Sequence, residues 1–183
     1  VQLLYGEENP CGKLAETFPL SVDDTPCRNT FATGSDDVEY RESIFTGYRY
    51  YDRYRIPVCY PFGFGLSYTA FDYSDLKLEK DLFTGGEMKV SFTITNTGNR
   101  KGAETAQIYV KNPTGCHYLR TEKELKGFIK TELLPGESKQ VSVSLDERSF
   151  SVYDEKMQKF LMPSGEYQIL VAASSQDVRL SAS

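Results

Sequence analysis

The sequence predicts a mainly β chain whose last hundred residues or so fold as an antiparallel two-sheet β-sandwich. Three observations carry this. Apolar and polar residues alternate with period two in several separate runs, and clusters of Gly, Pro, Asn and Ser fall between those runs. The aromatic share comes from 13 Tyr and 11 Phe with no Trp. Period two puts every second side chain on one face of a strand, and Tyr and Phe suit a pleated, half-buried surface.

Taken in order, Val1 to Gly6 reads as the last turn of an amphipathic helix stopped by a C-cap glycine. Glu7 to Gly12 is a polar loop, and Lys13 to Pro19 alternates apolar and polar until Pro19 halts it, as a strand would. Neither piece can bury itself alone. Residues 20–47 hold Asp23-Asp24, Pro26 and Gly34-Ser35-Asp36-Asp37 without hydrophobic periodicity, which predicts a long polar loop. From Gly47-Tyr48-Arg49-Tyr50-Tyr51-Asp52 to Pro61-Phe62-Gly63-Phe64-Gly65-Leu66-Ser67-Tyr68, aromatics crowd between glycines, as suits a clasp wedged between two domains.

From Tyr73 the alternation becomes regular. Leu76 and Leu78 begin it, followed by Met88, Val90, Phe92 and Ile94, then Ala106, Ile108 and Val110. Leu125 to Leu133 is a weaker run, Val141, Val143 and Leu145 a strong one, Phe150 to Leu161 weak again, and Tyr167, Ile169 and Val171 strong. Gly85-Gly86, Thr97-Gly98-Asn99, Pro135-Gly136 and Pro163-Ser164-Gly165 fall between them, where turns need special dihedrals. Such spacing predicts a sandwich of about seven short strands rather than βαβ units.

Composition excludes several functions. Acids outnumber bases 26 to 21, for a net charge of -5, which argues against a grip on nucleic acid or on anionic membranes. No apolar run approaches the roughly 20 residues of a membrane helix, and the first residues lack a signal-peptide pattern. The chain is expected to be soluble, in a cytoplasmic rather than a secreted setting. Cys11, Cys27, Cys59 and Cys116 form no CxxC, so free thiols are expected, and His117, the one histidine, supplies no metal-ligand set. The paired carboxylates, Glu7-Glu8, Asp23-Asp24, Asp36-Asp37 and Glu122 with Glu124, read as solvated loop faces rather than a catalytic pair.

Several short segments together resemble one family. They are Leu4-Tyr5-Gly6, Asn9-Pro10-Cys11-Gly12-Lys13-Leu14, Thr17-Phe18-Pro19, Gly47 to Asp52, and Pro61 to Thr69. Within the sandwich they are Asn96-Thr97-Gly98 with Gly102, Gln107-Ile108-Tyr109-Val110, Lys123-Glu124-Leu125-Lys126-Gly127-Phe128, Leu134-Pro135-Gly136-Glu137 and Pro163-Ser164-Gly165-Glu166-Tyr167. In this order they resemble the C-terminal part of glycoside hydrolase family 3, the β-glucosidase type of enzyme. Cys11 departs from the pattern, standing where the family usually has a small hydroxyl residue.

The resemblance implies an immunoglobulin/fibronectin type III-like antiparallel β-sandwich preceded by a partial α/β-sandwich segment and a long loop. It divides the chain into residues 1–22, the end of an α/β sandwich domain; 23–72, a connecting loop and aromatic clasp; and 73–183, the fibronectin type III-like domain. It implies partners in the barrel and α/β-sandwich domains of the same enzyme, an oligosaccharide or glucoside substrate met through that enzyme, and leaves a homo-oligomer open. Retaining hydrolysis uses two carboxyl groups about 5 Å apart and needs no metal or organic cofactor. In the family both carboxylates lie outside the segment matched here, so no catalytic residue is assigned to this chain. Tyr40, Arg41 and Glu42, in the loop from Cys27 to Phe45, are residue types that bind sugars and are the substrate-adjacent candidates. The contrasting reading is a free-standing fibronectin-like carbohydrate-binding or adhesion module. Residues 1–72 speak against that, because such a module has no use for a helix end, a lone strand and an aromatic clasp.

Overall fold

A computed structural model describes residues 1–31, 34, 37 and 39–183. Two short helices, α1 (Gln2–Tyr5) and α2 (Tyr48–Tyr54), and two short strands, β1 (Phe18–Pro19) and β2 (Val58–Tyr60), occupy the first part of the chain. The strands β3 (Phe71–Leu78), β4 (Glu87–Asn96), β5 (Gly102–Lys111), β6 (Lys123–Leu133) and β7 (Ser138–Asp146) follow. A small hairpin, β8 (Val152–Asp154) with β9 (Lys159–Leu161), leads to β10 (Gln168–Ser174) and β11 (Asp177–Ala182).

The large strands form two antiparallel sheets, in the orders β11-β10-β5-β6 and β3-β4-β7. Their facing sides carry the alternating residues of the sequence. Met88, Val90, Phe92 and Ile94 of β4 meet Ala106, Ile108 and Val110 of β5, with Leu145, Ile169 and Val171 completing the core. One fully buried large apolar side chain contributes roughly 1.5–3 kcal/mol, so this layer accounts for the sandwich's cohesion.

Strand β5 departs from simple alternation, because its residues Ala106 to Val110 are all buried. Ala106, Ile108 and Val110 face the core, whereas Tyr109 joins Tyr48, Leu170 and Ala172 in a second cluster on the other side of the sheet. An outer face that would otherwise meet water is thus covered by the chain's own first part.

Four expectations change in detail. The strand expected over Lys13–Pro19 is reduced to Phe18–Pro19, which pairs with Val58–Tyr60. Leu14 instead exchanges backbone hydrogen bonds with the 63–64 turn, its amide donating to Phe64 and its carbonyl accepting from Gly63, both at 2.8 Å. The stretch read as a loop and clasp contains α2, whose Tyr48 and Tyr51, three apart, form a buried face. Strand β3 begins at Phe71, two residues early. Strand β11 was not anticipated, since only Leu180 of its side chains packs against the core.

Candidate functional site on the covered sheet face

The first 72 residues hold to the sandwich through three groups of contacts. At one corner, Asn9 donates to the Lys101 carbonyl (3.0 Å) and accepts from the Ser67 hydroxyl (3.0 Å) and the Tyr68 amide (2.8 Å). Arg100 donates to the Gly6 carbonyl at 2.9 Å, and the Tyr68 hydroxyl to that of Leu3 at 2.7 Å. The turn after β4 is itself fixed by buried Asn96, which donates to the Arg100 and Leu133 carbonyls and accepts from Thr69 and Gly98.

The second group lies over β5 and β10. Gln107 donates to the carbonyls of Gly63 (3.1 Å) and Ala173 (2.9 Å) and accepts from the Tyr109 hydroxyl at 2.7 Å. The Ser175 amide donates to Phe62. Gly63 has φ 78°, and a Cβ there would collide with the Gln107 carboxamide, so close approach and backbone shape both require glycine. Beside it the Tyr48 ring stacks on Phe62 at 5.0 Å and meets Tyr109 edge-on at 5.8 Å. Asp52 and Lys123 pair at 2.7 Å, both nearly buried. Burial raises the Tyr48 and Tyr109 hydroxyl pKa values, so both phenols remain neutral donors and acceptors.

The third group closes one end of the sandwich. The Glu104 carboxylate accepts from Lys13 Nζ at 2.9 Å and from the Tyr73 hydroxyl at 2.8 Å, and Lys13 also donates to the Ala173 carbonyl. Burial first, and then the neighbouring Glu104, push the Tyr73 pKa far up, so this phenol stays protonated. Glu104 is a charge in an apolar setting, and its retention depends on these partners.

The sequence-selected residues are not drawn together. The Tyr40 ring stands 82% exposed in solvent, and Arg41 pairs with Glu39 at 2.6 Å on the exposed surface. Glu42 turns inward, its Oε2 buried without a hydrogen-bond partner among the described residues. The carboxylate pairs serve locally: Asp24 and Ser21 form a capping box, Asp23 pairs with Arg28, and Glu124 accepts from Lys126 and Thr121. Asp36 lies outside the described residues, as do Ser35 and part of the loop from Cys27 to Phe45. Among the described residues, no three His, Cys, Asp or Glu side chains come together as a metal-ligand group. Sequence reading missed Lys13, Glu104 and Tyr73, whose only local trace is a glutamate on the apolar side of a strand.

A fibronectin type III-like domain model matches residues 104–175. The chain is 45% identical over 179 residues to thermostable β-glucosidase B of Acetivibrio thermocellus, covering 97% of this chain and 24% of that protein. It is 42% identical to an exo-α-(1→6)-L-arabinopyranosidase of Bifidobacterium longum, over 96% of this chain and 23% of that one. The crystal structure of a Bifidobacterium adolescentis GH3 β-glucosidase superposes with a TM-score of 0.93 at 39% identity, covering 99% of this chain and 26% of that one. The chain therefore spans about a quarter of the length of the relatives it matches. Fold and junction define a fibronectin type III-like sandwich with a segment wrapped on one sheet, of the kind built into larger multidomain enzymes. More particularly, nearly the whole of the chain matches one part of a glycoside hydrolase family 3 β-glucosidase, the part that includes this domain.

Proposed function

We propose that this chain is the non-catalytic scaffold of a β-glucosidase-like hydrolase, which removes terminal β-linked sugars with retention. The observation that carries this is the two-sided character of residues 1–72. Their inner side is pinned to the sandwich by Gln107, Asn9 and Lys13, while their outer side presents Leu4 (86% exposed), Phe31 (71%) and Val22 (66%) to solvent. Large apolar residues on that many turns of one segment fit a surface covered by further domains. The barrel and the α/β sandwich are the proposed occupants, with residues 1–22 completing the α/β sandwich, 23–72 connecting, and 73–183 forming the buttress. Both catalytic carboxylates belong to those domains, and Tyr40, Arg41 and Glu42 border the substrate there. The identity of the sugar is not set by this chain: relatives 45% and 42% identical to it are named for a glucoside and for an arabinopyranoside.

The test is hydrolysis of an aryl β-glucoside by the purified 183-residue chain beside the longer protein that contains the barrel. Turnover is expected from the longer protein alone. Turnover by the short chain that survives further purification would place a catalytic pair within it and overturn the scaffold reading.

A further inference from the structure

A cleft of about 470 Å³ opens where the third contact group closes the sandwich, between the turn at residues 64–71 and the start of β11. Its charged lining consists of two ion pairs, Lys13 with Glu104 and Arg179 with Asp177. The Glu104 side chain is 9% exposed, and its Oε1 takes the hydrogen bonds of both Lys13 and Tyr73, so Oε2 is engaged by neither. Across the cleft, Arg179 holds Asp177 at two points, Nε to Oδ1 at 2.7 Å and a terminal nitrogen to Oδ2 at 2.8 Å, with its guanidinium 5.7 Å from the centre of the Tyr73 ring. Phe64 and Leu66 supply apolar wall between these groups.

The charge arithmetic selects the ligand. Lys13 and Arg179 are balanced by Glu104 and Asp177, so the cleft offers no net attraction to an anion or a cation. What remains is a set of paired donors and acceptors beside aromatic and aliphatic faces. That combination matches a pyranose ring, whose hydroxyls bond to charged groups and whose C–H faces lie against aromatic carbon. The volume falls within the range of small-ligand clefts. We propose that this cleft binds a neutral mono- or disaccharide, giving the chain a sugar site of its own. The proposal does not depend on the scaffold reading, because it concerns the 183-residue chain alone.

The experiment titrates the ¹⁵N-labelled chain with cellobiose, and in parallel with glucuronate and with glycerol. Saturable amide shifts are expected at Ser67, Asp177 and Arg179 with cellobiose, with a midpoint on the order of millimolar. Arg179→Ala, which removes an edge-strand side chain whose hydrogen bonds among the described residues go to Asp177, should weaken binding at least about tenfold, as one lost charged hydrogen bond implies. Leu66→Ala, at an exposed loop position, should weaken it independently. Absence of saturation overturns the proposal. So do equal shifts with glycerol, tighter binding of glucuronate, or wild-type titration in both variants.

Discussion

Asp52 and Lys123 sit 2.7 Å apart at the junction, one on α2 and one on β6, with both side chains almost shielded from water. Burial raises the Asp52 pKa above its ordinary 3.8, and the Lys123 ammonium only partly offsets this. An acid with a raised folded pKa contributes stability that is fully present below its unfolded value and is lost as pH rises through the folded one. Glu124, close by, behaves in the opposite sense. Burial pushes it up, but Lys126, Arg120 and Arg49 together hold it below 4.5, so its contribution is lost as pH falls. Asp52→Asn removes the first slope and leaves the second. Urea unfolding of both proteins from about pH 4 to 6 should show the wild type losing ground to the variant as pH rises. A difference that stays flat across that window would mean Asp52 is not desolvated at the junction.

At the scale of elements, the pairing of β5 with β6 contains a bulge. Ile108 lies opposite Gly127 and Tyr109 opposite Leu125, so Lys126 is the extra residue and the ladder is broken there. The Leu125 amide donates instead to the Tyr48 hydroxyl of α2 at 2.8 Å. A helix from the first part of the chain thereby satisfies a backbone group that the sheet leaves over. Tyr48→Phe keeps the ring stack on Phe62 but strands that N–H, at a cost of about 1–3 kcal/mol. Faster hydrogen exchange at Leu125, with little change at β4, is the expected signature; unchanged protection would mean that another acceptor serves the bulge. The helix responsible was barely legible in the sequence. Its four Tyr and one Asp are poorer helix formers than the two Arg among them, and Gly47 at its start offers no side-chain cap. Strands β4 and β7 were legible because one side of each packs against apolar neighbours and the other stays wetter. Strand β11, with Val178 turned to solvent, lacked that contrast.

For the whole molecule, the two-sheet core could be read from period two alone, whereas the junction could not. Lys13 and Glu104 are 91 residues apart, and Gln107 and Gly63 are 44 apart, so no local pattern announces either contact. What the sequence does carry is the consequence: Gln107-Ile108-Tyr109-Val110 has no charged residue on either face of a strand, as expected for one covered twice. This bears on whether the sandwich is an independent domain. A fragment of residues 71–183 retains the whole inner core but uncovers Tyr109 and Leu170, at roughly 3–6 kcal/mol for two large side chains. Set against the approximately 5–15 kcal/mol by which a domain is usually stable, that loss is a large part of the whole. The fragment should therefore unfold at a clearly lower temperature by circular dichroism and bind a hydrophobic dye that the complete chain does not. Equal melting of fragment and chain would instead make the first 70 residues a passenger on the sheet, held by it without supporting it.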